Sequence, residues 1–391
     1  MMRLFFVFTL LLGLCLPLSA NAEGDDEQFL DGYDHSLQNY LTERFAGRRS
    51  SQDSPKGSVE KKWKIDDYVT VPKFGGYIVG KYEYSSGRGH TNEFSLRLLR
   101  LYVDGTVFRD FKYRVQMEVC GQPGGNGTGA RVIDAYIDWT HFSWLGIKGG
   151  EFKRCFSFEN PMNPWDISNG DYSQLTKHMT NLGSSALYPG NHNTGGRDLG
   201  IQIHGDLFKN SRSGHHYLSY QVGVYNGQGI NVGDKDKEKD YIANVQVQPL
   251  KGWRIGVFGW HGSFTTQVGE VKNSTYFNRW AVGTSYEGDR ASVRAEYARN
   301  HNTTGLREVS DAWVLTAGYR VWRWLKPYVR YDALRTDSHS WGSLNSIYGV
   351  GLQARPHKNL QFQLQYNYVH NNANVADKDV HQIWTQAYIR F

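Results

Sequence analysis

His381-Gln-Ile-Trp-Thr-Gln-Ala-Tyr-Ile-Arg-Phe391 is the last strand-like stretch of the chain, and it decides the fold class. Ile383, Thr385, Ala387, Ile389 and Phe391 fall on one face, and Gln382, Trp384, Gln386, Tyr388 and Arg390 on the other. Leu360-Gln-Phe-Gln-Leu-Gln-Tyr-Asn-Tyr368 repeats the pattern with amides at every second place. Side chains of a strand alternate between two faces, so these two faces meet two different solvents. Lipid outside and water inside is the arrangement of a transmembrane β-barrel strand, and a terminal aromatic suits such a strand.

Working outward, the same pattern predicts sixteen strands, at 74–85, 94–108, 111–120, 131–140, 144–154, 197–207, 216–226, 240–249, 253–262, 277–287, 290–300, 311–321, 325–335, 345–355, 359–370 and 380–391. The connections carry independent information. Short ones (109–110, 141–143, 250–252, 288–289, 322–324, 356–358) alternate with long ones (86–93, 121–130, 155–196, 227–239, 263–276, 301–310, 336–344, 371–379), and only 208–215 is longer than its place predicts. Short periplasmic turns alternating with long external loops are barrel topology. A soluble sandwich or propeller has no reason to sort its loops this way. The fold expected is therefore all-β, an antiparallel transmembrane barrel over 67–391. The loop 155–196 has no sustained alternation, and a loop of that length is usually functional. It is expected to fold inward and narrow the lumen.

Residues 1–22 read as an export signal: Arg3, an apolar run from Leu4 to Leu18, and the A-x-A site Ala20-Asn21-Ala22. Residues 23–66 differ from the rest, with Phe29, Leu30, Tyr33, Leu37, Tyr40, Leu41 and Phe45 at helical spacing before a polar stretch. They are expected to form a periplasmic helix and linker. With 43 Gly, 25 Tyr and 12 Trp against 10 Pro, the composition suits many strands and turns. The net charge of +6 is too mild to point to nucleic acid. Cys120 and Cys155 both fall near one rim, and oxidising conditions leave a disulfide between them open.

Several patches resemble the phosphate-selective porin O/P family, and most of all its members from Bacteroidetes. They are Arg97-Leu-Leu-Arg100 with Val103-Asp-Gly105, Asp134-Ala-Tyr136, Gly150-Glu-Phe-Lys153 with Phe156-Ser-Phe-Glu159, Gly196-Arg-Asp-Leu-Gly200, Asn226-Gly-Gln-Gly-Ile-Asn231 and Arg330-Tyr-Asp332. The resemblance covers roughly 74–391. It implies a trimeric sixteen-stranded channel with an inward third external loop. The chain departs from the family at Cys155, where proline is common, and over 23–66.

Channel selectivity comes from the charges that line the pore. The face opposite the apolar stripe carries the bases Lys81, Arg100, Lys112, Arg114, Lys148, Arg254, Arg279, Arg294, Arg320, Arg330 and Arg390. It also carries the acids Glu83, Asp104, Glu118, Asp134, Asp138, Glu296 and Asp332. Bases outnumber acids, and a basic lumen favours anions. The candidate pore-lining or selectivity residues are Arg100, Lys112, Arg114, Lys153, Arg154, Lys177, Arg197, Arg294 and Arg330. The competing reading is that most of these charges brace the wall, with Arg114–Glu118, Arg294–Glu296 and Arg330–Asp332 as structural pairs. The inward loop opposes a phosphate filter. It holds one base, Lys177, beside His178, against Glu159, Asp166 and Asp171. Trp165, Tyr172 and Tyr188 in that loop are expected to pin it to the wall.

Other motifs carry less. Gly124-Gly-Asn-Gly127-Thr-Gly129 lacks the helix and Lys of a phosphate cradle. The acids Asp234, Asp236, Glu238 and Asp240 alternate with lysines, which oppose calcium, so a solvated loop is expected. No catalytic motif and no metal or cofactor site is read. The sequence predicts a porin for passive diffusion of small hydrophilic, preferably anionic solutes, phosphate possible among them, set in outer-membrane lipid. Its partners are neutral or anionic solutes, two further copies in a homotrimer, and the barrel-assembly machinery through Phe391, with no nucleic acid. The alternatives are a closed structural or adhesive barrel and a lipid-hydrolysing barrel enzyme.

Overall fold

The computed structural model describes residues 70–391 apart from 90, 121–129, 168–169, 183–193, 269–270, 304–307 and 374–376. The export signal, the helix expected within 23–66 and the glycine-rich 124–129 lie outside the described residues. Sixteen antiparallel strands close into one barrel. They are β1 (Lys73–Ser85), β2 (Asn92–Val107), β3 (Phe111–Glu118), β4 (Arg131–Trp139), β5 (Gly146–Lys153), β6 (Arg197–Lys209), β7 (His216–Tyr225) and β8 (Asp240–Leu250). The second half comprises β9 (Trp253–Val268), β10 (Val271–Glu287), β11 (Ala291–Asn302), β12 (Val309–Tyr319), β13 (Leu325–Arg335), β14 (Leu344–His357), β15 (Leu360–Asn371) and β16 (Asp379–Arg390).

Every strand pairs with its sequence neighbours, and β1 meets β16 with Tyr77 opposite Arg390. Beyond that register Gly76 and Phe391 exchange two backbone hydrogen bonds of 3.0 Å. A Cβ on Gly76 would stand 2.7 Å from the Phe391 ring, so a glycine here lets the terminal ring lie against the wall. Closure leaves no open edge, which is what a sheet needs in lipid, where no water satisfies a bare N–H or C=O.

Fourteen of the fifteen connections and nearly all strand ends follow the sequence reading to within two residues. The hairpin β9–β10 departs from it. The loop expected at 263–276 is paired strand up to Val268 opposite Val271. Ser263-Phe-Thr-Thr-Gln-Val268 is rich in β-branched residues but has no clean apolar stripe. Strand that rises clear of lipid has no reason to carry one, so alternation missed it.

Outward-facing Ile137, Ile201, Val257 and Val350 form part of a broad exposed aliphatic belt. Soluble monomers rarely expose such a continuous apolar band. The amides of β15 (Gln361, Gln363, Gln365, Asn367) are buried on the inner face, as are Trp384, Gln386 and Tyr388 of β16. These inner residues are buried because the loop after β5 fills much of the lumen.

Candidate functional site

The loop 154–196 leaves β5, crosses the barrel and returns to β6. Its first turn puts Phe156 and Phe158 against the wall. Phe158 meets Phe258 edge-on at 5.2 Å, and Phe156 meets Trp260 at 5.6 Å. A short helix, α1 (Gln174–Thr180), adds Leu175 and Met179 to this apolar cluster. Ser173 caps the helix by accepting from the Thr176 N–H, and Asn181 ends it in the left-handed conformation at φ 53°. On the opposite wall Trp165 lies beneath Arg390 at 4.5 Å and Arg355 at 5.3 Å. Trp165 and Tyr172 are thus pinned to the wall as expected; Tyr188 lies outside the described residues.

Polar ties complete the tether. Glu296 accepts from the Phe158 N–H at 2.9 Å, and Asp332 from the Gln174 N–H at 2.9 Å. Gln363 donates to the Ile167 carbonyl at 2.9 Å. His178 meets the Ser310 hydroxyl at 2.9 Å. The loop therefore rests on β8 through β16, with further ties to Arg97 of β2, Lys153 of β5 and Tyr225 of β7, and leaves the inner face of β3 and β4 least covered.

Arg97 is the tether that sequence reasoning missed. Strict alternation turns it toward lipid. However, the β1–β2 register shifts between Val79 and Gly80, which face Leu98 and Leu96, so Arg97 is the extra residue of a bulge. The bulge re-aims it inward. Its guanidinium donates to Asp171 at 3.0 Å, to Gln386 at 2.5 Å, to Tyr388 at 2.9 Å and to the Gly170 carbonyl. An arginine inside an otherwise apolar outward stripe was the available signal. Burial alone would raise the Asp171 carboxyl; Lys177 and Arg97 overcome it and hold it below the usual carboxylate range. Removing Arg97 takes its donated hydrogen bonds from this end of the loop while Asp171 keeps Lys177, and a lost bond to a charged group costs about 1.5–3 kcal/mol. Arg97→Leu is therefore expected to free this end of the loop and raise both unitary conductance and open-channel noise in planar bilayers. Unchanged traces would show that Arg97 does not hold the loop.

The candidate bases divide by what they touch. Arg100 binds Glu118 at 2.5 Å and the Tyr77 hydroxyl at 2.8 Å. Arg114 grips Asp104 with two bonds of 2.8 and 3.1 Å, not Glu118 as expected, because Asp104 stands directly opposite in the register. Arg197 grips Asp134 at 2.9 and 3.0 Å. Arg154 is fully buried beside Asp198 at 3.6 Å, stacked over Trp260 at 4.7 Å. Lys177 pairs with Asp171 at 2.5 Å. Arg330 pairs with Asp332 as expected and also donates to the loop carbonyls of Asp171 and Tyr172. Arg294 reaches Glu159 at 3.7 Å and Glu287 at 3.6 Å rather than Glu296, whose carboxylate is taken by the loop. Lys112 is buried on the inner face opposite Asp138.

Lys153 differs from these. Its ammonium donates to the Met162 carbonyl at 2.5 Å and the Tyr172 hydroxyl at 2.8 Å, both neutral. Among the described residues no carboxylate lies within ion-pair distance of it. It sits in the field of Arg100 and Arg197, whose own acids are already engaged. The loop acids near this group have partners of their own. Glu159 accepts from Ser173 at 2.5 and 2.7 Å and faces Arg294, while Asp171 is held by Arg97 and Lys177. Glu159 and Asp171 are thus held in pairs, while the loop itself still adds only Lys177 as a base, as its sequence shows.

A sequence comparison with known families now decides the affiliation: the family described as phosphate-selective porin O and P matches residues 77–391. The chain belongs to that family. This porin is accordingly an outer-membrane channel protein rather than an enzyme, its short turns periplasmic and its long loops external. No curated protein sequence matches it. Among solved structures, the anion-selective porin from Comamonas acidovorans is similar with a TM-score of 0.60 at 13% identity, over 82% of this chain and 98% of that one. The outer-membrane channel DcaP of Acinetobacter baumannii gives 0.58 at 13%, over 84% and 99%. The trimer form of OmpT of Vibrio cholerae gives 0.57 at 13%, over 83% and 100%. At such identity the likeness speaks for the fold.

The remaining sequence candidates resolve as follows. Cys120 and Cys155 are both free thiols. Cys155 is turned into the apolar cluster under the Tyr225 hydroxyl at 3.7 Å, and burial pushes its thiol up to about 11. Cys120 lies beside Glu118 at 3.4 Å. Asp240 is not solvated: it is 1% exposed and accepts from Trp260 at 2.9 Å and the Ser263 N–H at 3.0 Å. Asp234 pairs with Lys239. Among the described residues no cluster suits a metal.

His178 supplies a pH dependence. Burial first, and the Arg279 guanidinium second, push its imidazole down to about 3. A freed loop has the ordinary value near 6.5. The docked loop therefore binds fewer protons, so docking is at full strength above about 6.5 and weakens as pH falls from there toward the docked value. At pH 5 the loss is about 2 kcal/mol. Channel noise is expected to rise between pH 7 and pH 5, and His178→Gln, which keeps a partner for Ser310, is expected to flatten that rise. Equal pH dependence in both proteins would assign it elsewhere.

Proposed function

We propose that this porin passes small hydrophilic solutes passively with a preference for anions, phosphate among them. The observation that carries the reading is Lys153, on the wall where the inward loop meets it. It is a base with no carboxylate partner among the described residues, set between Arg100 and Arg197. Each arginine there is paired with one acid, so with Lys153 protonated the group carries one positive charge in excess. A preorganised surplus charge in a narrow, partly desolvated passage favours counter-ions far more than the same charge in open water. The family's description and the anion-selective Comamonas porin point the same way.

The trimeric OmpT form supports a homotrimer for this chain. Residues 1–22 as export signal, 23–66 as a periplasmic helix and linker, Phe391 as the contact for barrel assembly, and a Bacteroidetes source belong to the same proposal. The test is the reversal potential of the mature protein in a planar bilayer across a potassium chloride gradient. A chloride-favouring potential that falls as phosphate is added supports the reading. A potassium-favouring potential overturns it, and no conductance at all favours the closed barrel.

A further inference from the structure

The lumen wall formed by β2 to β5 has a composition that a filter for a bare inorganic ion does not need. On β2 and β3, Arg114 lies over the Tyr102 ring at 4.7 Å while gripping Asp104. Across the register Arg114 faces Tyr136 of β4. On the far side of Tyr136, Lys148 of β5 sits over the ring at 4.9 Å and pairs with Asp138 at 3.4 Å. Bases, tyrosine rings and carboxylates thus alternate across four adjoining strands, centred on the part of the wall that the inward loop leaves least covered. Asp104 and Arg114 keep side-chain exposures of 38% and 28%, the wettest of the lumen arginine–carboxylate pairs.

From this juxtaposition we infer that the strip is a subsite for negatively charged sugars, that is, sugars carrying a phosphate or carboxylate. The inference rests on the anion-pore reading and names its solute class. Each component answers one part of such a solute. Arginine and lysine meet the acid group, arginine with a planar fork. Tyrosine faces give flat apolar area to the C–H face of a sugar ring and keep a hydroxyl for hydrogen bonds. Carboxylates accept only, so the exposed Asp104 suits a solute that brings hydroxyl donors, while Asp138 is held between Lys148 and His204. That point separates the candidates: inorganic phosphate offers the rings nothing, and an aromatic carboxylate offers Asp104 no donor.

The experiment is current block in planar bilayers with three probes: glucose 6-phosphate, inorganic phosphate and benzoate. Glucose 6-phosphate is expected to halve the chloride current at a concentration about tenfold or more below either of the others, a margin of the size that a few good polar and stacking contacts give. Tyr102→Leu combined with Tyr136→Leu is expected to erase the margin and leave the reversal potential unchanged. Tyr102→Phe with Tyr136→Phe keeps the rings and is expected to restore most of it, which shows that the leucine barrel has not simply misassembled. Equal block by all three probes overturns the subsite and leaves the anion preference standing. Block by benzoate as strong as by glucose 6-phosphate overturns it in favour of a flat-ring site. A potassium-favouring reversal potential takes down both readings.

Discussion

Lys153→Glu is expected to turn the channel from chloride-preferring to potassium-preferring. With Lys153 protonated, the replacement changes this group by two charge units, from a surplus of one positive to one negative. A unit charge at 4 Å from a passing ion is worth about 1 kcal/mol in bulk water and about 4 kcal/mol at an effective dielectric of 20. Two units therefore exceed the ~1.4 kcal/mol of a tenfold change in occupancy even at the water-like limit. The chloride-to-potassium permeability ratio is expected to drop by more than about tenfold at low salt and by less at 1 M, where the Debye length shrinks to about 3 Å. Lys153→Gln separates charge from structure. It can still donate toward the Met162 carbonyl and the Tyr172 hydroxyl, and it removes one unit only. Its ratio is expected to fall between the other two. If the glutamine and native proteins have the same reversal potential, the surplus charge is not what selects.

Neutralising Arg100 or Arg197 reads differently. Each is locked to an acid, Glu118 or Asp134, so removal strands a buried carboxylate and mixes a selectivity change with a structural one.

How far the sequence could see depends on which solvent set the pattern. Lipid imposes alternation on every strand it touches, so all sixteen strands were legible, down to the amide face of Leu360–Asn371 and the split faces of β16. Where lipid stops, the signal stops, and the tall end of the β9–β10 hairpin read as loop. A bulge breaks parity by one residue, which hid Arg97. Lumen charges were legible as a set but not as pairs. Partner choice follows register, and Asp104 beats Glu118 for Arg114 by standing directly opposite. For Glu296 the competitor was the inward loop itself, which an alternation argument cannot place. The two cysteines fall near one rim in sequence, yet Cys155 follows the loop's apolar turn inward and Cys120 does not.

Phe156→Ala is expected to give the largest rise in conductance. Phe156 is fully buried between Phe258 at 6.2 Å and Trp260 at 5.6 Å, in the cluster that fixes the first turn of the inward loop. Truncating a buried phenylalanine costs about 3–5 kcal/mol, from lost transfer energy and from the cavity left behind. The barrel ladder does not run through this residue, so the loss falls on loop docking and not on strand pairing. A docking equilibrium weakened by that amount leaves the loop undocked for a measurable share of the time. The expected record is a several-fold larger mean conductance with frequent transitions, from a barrel that still migrates as folded on unheated gels. Phe258→Ala removes the wall side of the same contact and is expected to behave alike, whereas Phe111→Ala, on the outer face near a periplasmic turn, is expected to leave conductance unchanged. Native conductance in both lumen variants would mean that another part of the barrel sets the narrowest level, and the role given to the loop would fall with it.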